Sequence, residues 1–132
     1  MNENQRAKSI LKILNKIYPT TPIPLKHNSK FTLLVSVLLS AQCTDVNVNN
    51  VTKDIYPKYN KPKHFVKLGR KKIEKLIKSI GIFRIKAKSI YLLSKQLIAN
   101  HNSRVPSSFE ELEKLPGVGH KTASVVMSQG FG

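Results

Sequence analysis

The stretch with the most chemical potential is Leu115-Pro116-Gly117-Val118-Gly119, followed at once by His120, Lys121 and Thr122. Three uses fit it. The glycines can supply the positive φ angles of a tight turn between two helices. The run Gly119 to Thr122 can close a phosphate loop of the P-loop type, although His120 separates the glycine from the lysine and a Glu-rich helical segment precedes it where such a loop needs a strand. Or the segment is a helix-hairpin-helix, whose glycines let backbone N–H groups approach a DNA phosphate while the second helix adds the partial positive charge of its N-terminus. Such contacts ignore base sequence and hold a duplex in register for another group to act on. Lys121 is the candidate for that group. The positive end of a helix macrodipole disfavours an ammonium, as does partial burial, and the neutral amine is the form that attacks a sugar carbon. Its plainer role is phosphate binding, one lysine among many in a basic chain.

The elements that must position these residues read as helices. Phe31 to Ala41 is apolar on nearly every side, and its length and leucine pairs favour a central helix over a strand. Before it, Ile10, Leu11, Ile13, Leu14 and Ile17 mark an amphipathic helix over Ser9 to Ile17, stopped by Pro19, Pro22 and Pro24. After it, Thr44 or Asp45 caps a helix with Val48, Val51 and Ile55 on one face, running to Pro57. Pro62 opens a short helix that Gly69 closes. Ile73, Leu76, Ile77 and Ile80 predict a helix over Lys72 to Ile80 with Gly81 just past its end. Ile90, Leu93 and Leu97 predict another over Ile85 to Ala99. Ser107 and Ser108, each three residues before a glutamate, give the capping signature of the helix that leads into the hairpin, and Ala123, Val126 and Met127 mark the helix that leaves it. With no hairpin dipeptide between alternating strands, the fold class is all-α, six or seven short helices.

Composition narrows the partner. In 132 residues, 23 Lys and Arg stand against 7 Asp and Glu, a formal charge of +16. Much of it lies between Lys53 and Lys95, with 12 Lys and 2 Arg against Asp54 and Glu74. Charge of this sign suits nucleic acid or an anionic membrane, and a lysine-rich composition can also drift with an AT-rich genome. No apolar run approaches the roughly 20 residues that span a bilayer, and the N-terminus lacks the apolar core of a secretory signal. The single cysteine, Cys43, makes neither an internal disulfide nor a four-thiolate metal site, so a cytoplasmic setting is expected and no metal site is assigned.

Several blocks together resemble the endonuclease III family of helix-hairpin-helix DNA glycosylases. They are Leu39-Ser40-Ala41-Gln42-Cys43-Thr44-Asp45, Ile80-Gly81-Ile82 with Lys86-Ala87, Val105-Pro106, and Leu115 to Ala123 with Val125-Val126. They run in family order over essentially the whole chain. The resemblance implies a bifunctional base excision repair enzyme that removes oxidised pyrimidines and cleaves abasic sites by β-elimination. Lys121 would be the nucleophile, attacking C1′ and holding the sugar as a Schiff base. Gln42 and Ile82 match the loop residues that fill the gap left by a flipped base, an amide for the orphaned partner and an apolar wedge. Leu115, Gly117, Val118, Gly119, His120 and Thr122 match the DNA-binding hairpin, within a motif at 108–128. His120 replaces the arginine or lysine frequent in the family and keeps a donor for the phosphates.

The implied partner is double-stranded DNA with a damaged pyrimidine or abasic site, bound by a monomer in the cytoplasm or nucleoid. Residues 1–21 are expected to form an N-terminal helix and linker, and 22–132 the glycosylase core. Family members continue into a segment with an essential aspartate and four cysteines that hold a [4Fe-4S] cluster. This chain is therefore expected to be a truncated member with no cofactor of its own. Asp45 is the one nearby candidate to replace the aspartate, with a helix N-cap as its plainer role. The alternative to an enzyme is a non-catalytic helix-hairpin-helix module that binds DNA backbone.

Overall fold

A helix that is apolar all round is stable only when other elements surround it. The computed structural model, which describes residues 25–131, places α1 (Lys30–Ser40) in that position, with every residue from Phe31 to Leu39 buried. Ser29 starts it with a capping box, accepting from the Thr32 N–H while the Thr32 hydroxyl accepts from the Ser29 N–H. Its polar residues are satisfied inside the core. The Ser36 hydroxyl is hydrogen-bonded to that of Tyr56, which donates to the Thr32 carbonyl at 3.0 Å. Burial raises the Tyr56 phenol well above the usual tyrosine range, and the Ser36 bond offsets part of that.

Around α1 follow α2 (Asp45–Thr52), α3 (Pro62–Leu68), α4 (Arg70–Leu76), α5 (Phe83–Asn100), α6 (Phe109–Glu113) and α7 (His120–Gly130). The described residues thus form seven helices and no strand, the expected all-α class. α1 packs on α7, α2 and α5, while α5 also carries α3 and α4. The core joins Leu33, Leu34 and Leu39 of α1 to Phe65, Ile73, Ile90, Leu93, Leu97 and Leu112. No helix among the described residues is long and apolar enough to cross a membrane. The helix expected over Ser9 to Ile17 lies outside the described residues.

The bounds of α4, α2 and α5 differ from expectation. α4 starts at Arg70 and ends at Leu76, four residues short of Ile80. Ile77 and Ile80 are nevertheless buried, with the Ile80 N–H on the Ile77 carbonyl at 2.8 Å, so the apolar period recorded burial through a turn as well as helix. Gly81 is not a left-handed helix end; Ile82 takes the left-handed conformation. Likewise α2 ends at Thr52, and tight turns carry Ile55 into the core. At α5 the helix opens at Phe83, two residues early, because Ile82 turns the chain there.

Candidate functional site

The hairpin between α6 and α7 is anchored by its apolar residues. Leu115 is 2% exposed and Val118 6%, and the Val118 N–H closes the turn on the Leu115 carbonyl at 3.1 Å. Their side chains therefore belong to the core and anchor the turn from inside. Between them Gly117 has φ +79°, and a Cβ there would sit 2.6 Å from Ser89 Cβ on α5 and 3.1 Å from Leu38 Cδ1 on α1. The hairpin backbone is thus pressed onto both helices, which only glycine permits. Gly119 differs from the expectation that both glycines supply positive φ. Its φ is −93° and nothing lies within 4 Å of where a Cβ would be, so the fold leaves open space there.

α7 starts with no side-chain cap, and the Gly119 carbonyl accepts from the Ala123 N–H. Among the described residues, the N–H groups of Gly119, His120, Lys121 and Thr122 have no protein acceptor. Four unpaired donors at the positive end of an 11-residue helix are the kind of arrangement that can hold an anion. Lys121 stands in this first turn, exposed and without an ion pair or hydrogen bond among the described residues. The partial burial expected of it is absent. His120 also departs from expectation. Its ring turns back onto α6, with Nδ1 2.7 Å from the Glu113 carboxylate and the ring stacked on Phe109 at 5.4 Å. Only its Nε2 edge is left for an outside partner. Thr122 is half-buried.

Gln42 and Ile82 share a conformation found at few residues here: each has φ +58° without being glycine. For a β-branched residue that region is a genuine outlier, held by its surroundings. Ile82 is 47% exposed and Gln42 is exposed. Their loops are neighbours, since a Cβ on Gly81 would lie 3.8 Å from the Gln42 carbonyl oxygen. Lys86, on the first turns of α5, donates through Nζ to the Leu39 carbonyl at 2.9 Å and the Ala41 carbonyl at 2.6 Å. Desolvation holds the Lys86 ammonium below the usual lysine range, with nearby Cys43 acting the other way. Asn47 Nδ2 reaches across from α2 to the Ser79 carbonyl at 3.3 Å and to Cys43 Sγ at 3.2 Å.

These loops and the hairpin meet on the same two helices. α1 runs from Leu38, which touches Gly117, toward Gln42; α5 runs from Ile82 to Ser89, which also touches Gly117. At about 1.5 Å rise per residue the interval along α5 is roughly 10 Å. Asp45 is not the N-cap. Thr44 caps α2, accepting from the Asn47 N–H at 3.1 Å, and Asp45 occupies the first turn, where its charge favours the helix.

Lys86, Asn47 and Ser89 were not assigned site roles from sequence. One signal for Lys86 was available: it stands four residues before Ile90 on the stripe that continues through Leu93 and Leu97, a lysine on a buried face. Among the described residues no group of His, Cys, Asp or Glu could hold a metal ion. One cysteine in the chain, its sulfur accepting from Asn47, does not fit a cluster bound by four thiolates.

A helix-hairpin-helix with uncapped donors is a motif suited to holding the backbone of DNA. The model of the HhH-GPD superfamily of base excision DNA repair proteins matches residues 35–128, and the chain belongs to that superfamily. Within it, the chain is 46% identical over 128 residues to endonuclease III of Rickettsia conorii, covering 97% of this chain and 61% of that protein. To endonuclease III of Escherichia coli K12 it is 42% identical over 133 residues, covering 100% and 62%. Among solved structures it resembles a trapped covalent endonuclease III–DNA intermediate, an estranged-adenine complex, with TM-score 0.83, 43% identity and coverage of 99% and 62%. A thermostable thymine-DNA glycosylase matches with TM-score 0.78 and 25% identity, covering 97% of this chain and 60% of that one. The chain spans about 60% of the length of these relatives.

Proposed function

We propose that the chain acts in base excision repair as a bifunctional DNA glycosylase and abasic-site lyase, on duplex DNA with oxidised pyrimidines or abasic sites. The four free N–H groups at Gly119 to Thr122 grip a backbone phosphate, with Gly119 leaving the approach open. Gln42 and Ile82 enter the space left when the damaged nucleotide turns out of the stack, the amide pairing with the orphaned base and the isoleucine keeping the gap closed. Lys121 Nζ, as the neutral amine, bonds to C1′ while the bond from C1′ to the base breaks and the base leaves with the electron pair. The nitrogen then loses one proton as the sugar ring opens, with O4′ taking up a proton, which gives a protonated Schiff base. Removal of a C2′ proton then expels the 3′ phosphate by β-elimination, and water releases the sugar from the lysine. The setting is the cytoplasm or nucleoid, with a monomer on the DNA.

The observation that carries this reading is an exposed lysine without a partner, in the same helical turn as four unpaired backbone donors. Borohydride reduction of the reacting complex tests it. A covalent adduct with abasic duplex DNA that disappears in Lys121→Ala is expected; an adduct that persists in Lys121→Ala removes Lys121 as nucleophile. One observation favours a second reading, a non-catalytic DNA-binding module. No carboxylate among the described residues is paired with Lys121, and Glu113, at the end of α6, is engaged by His120. Salt-sensitive binding with neither cleavage nor adduct is the outcome that selects it.

A further inference from the structure

Lys86 is the one charged residue among the described residues that is buried, 6% exposed, and it has no carboxylate partner among them. On stability alone this is a poor arrangement. An ammonium taken out of water without a counter-charge is costly, and an apolar residue at position 86 would continue the stripe of Ile90, Leu93 and Leu97. What the ammonium obtains is geometry. The last carbonyls of a helix need partners, and the Leu39 and Ala41 carbonyls at the end of α1 find theirs in a single nitrogen from another helix. The residue after Ala41 is Gln42, in its left-handed conformation. The Lys86 N–H, meanwhile, donates to the carbonyl of Ile82 at 3.1 Å. That main-chain bond is the ordinary one of the first helical turn, so it is the lysine side chain that ties this turn, which starts at Ile82, to the loop of Gln42.

We propose that Lys86 is a positioning residue that sets Gln42 and Ile82 as one gap-filling unit, by fastening the end of α1 to the first turn of α5. It touches no DNA and acts through the two side chains whose backbones it fixes. The proposal rests on the reading that Gln42 and Ile82 enter the space left by a flipped nucleotide. Asn47, bridging Cys43 and Ser79, braces the same pair of loops from the other side.

The test compares binding to an intact duplex with binding to the same duplex carrying a tetrahydrofuran abasic analogue, with 2-aminopurine placed opposite to report its environment. Wild type, Lys86→Met, the double variant Gln42→Ala/Ile82→Ala and the triple variant are measured together. Two hydrogen bonds from a charged donor support a loss of about tenfold in preference for the abasic duplex in Lys86→Met. Affinity for intact duplex should stay within about twofold, since nonspecific binding is carried by phosphate contacts elsewhere. The 2-aminopurine signal of bound DNA should change as well, and Lys86→Met should add no further loss in the triple variant, because its effect runs through side chains already removed. A merely structural lysine would instead weaken both duplexes alike and add to the double variant.

Full preference retained in Lys86→Met, with the double variant impaired, overturns this proposal alone. A wild type without preference for the abasic duplex overturns the gap-filling reading and the proposal with it. If Lys86→Met does not fold, Lys86→Gln, which keeps a neutral donor, decides by the same criteria with an expected loss of about threefold.

Discussion

The hairpin and the pair of loops at Gln42 and Ile82 each leave a few atoms exposed, by opposite means. The hairpin is local and unstrained. Its anchors Leu115 and Val118 lie within five residues, its one left-handed residue is a glycine, and what it offers is main chain. The loops are non-local and strained. Their exposed residues are non-glycine in the left-handed region, they offer side chains, and the bonds that fix them come from α5 and α2. Atoms that meet a phosphate, the same at every base step, need only a free N–H and room. A side chain that must fill one gap needs its backbone aimed, and the aiming is done from elsewhere in the fold.

That contrast can be broken or sharpened by substitution. Lys121→Ala should reduce strand cleavage and borohydride trapping by at least about a thousandfold, the scale of removing a covalent nucleophile, with stability changed by no more than about 0.5 kcal/mol at so exposed a site. Quantified trapping beside a thermal melt reads both. Next in size, Gly117→Ala should cost about 2–4 kcal/mol in denaturant titration, combining a left-handed alanine with a methyl forced onto Ser89. Gly119→Ala should melt as wild type does yet bind duplex DNA about tenfold more weakly, since the methyl would meet only the phosphate. Equal stability losses at the two glycines would contradict the division of labour within the hairpin.

In the loops the expected sign reverses. Ile82→Gly relieves a strained backbone and should raise stability by about 1 kcal/mol, less than the strain itself because glycine also loses more entropy on folding. Preference for abasic over intact duplex should fall in the same variant. A destabilised Ile82→Gly with lesion preference intact would show that the left-handed turn is not held for the sake of its side chain.

The smallest effect lies away from both regions. Folded Tyr56 keeps its proton where an unfolded tyrosine ionises, so its share of stability is fully present below about pH 10 and is lost as pH rises above it. Tyr56→Phe should flatten the alkaline limb of the melting profile. At neutral pH it should cost about 1 kcal/mol through the bonds to Ser36 and Thr32.

Much of this was legible in the sequence because it is written in short range. The buried α1 declared itself by apolar residues on every side, the hairpin by its glycines, and the α6 cap by Ser108 and Glu111. Lys121 was legible from its place in the first turn after the hairpin, whereas Gln42 and Ile82 came from the family resemblance, since nothing in their local spacing singles them out. What escaped depends on contacts between distant segments. The end of α4 is set by packing rather than by its own period. Lys86 spans 47 residues to reach Leu39, and Asn47 spans 32 to reach Ser79. The return of His120 onto Phe109 and Glu113 needs the hairpin closed before the three residues can meet.

Gly117 resting on Ser89 also makes α5 a measuring rod. From Ile82 to Ser89 is seven residues, almost two full turns, so Ile82 and the hairpin point in a fixed relative direction as well as standing a fixed distance apart. One residue inserted into that interval would swing Ile82 by about 100° around the helix while leaving the composition of both regions untouched. The same insertion in the Asn100 to Ser103 turn would fall beyond the measured span. Length variation in this helix should therefore be tolerated at its far end and rejected between Ile82 and Ser89.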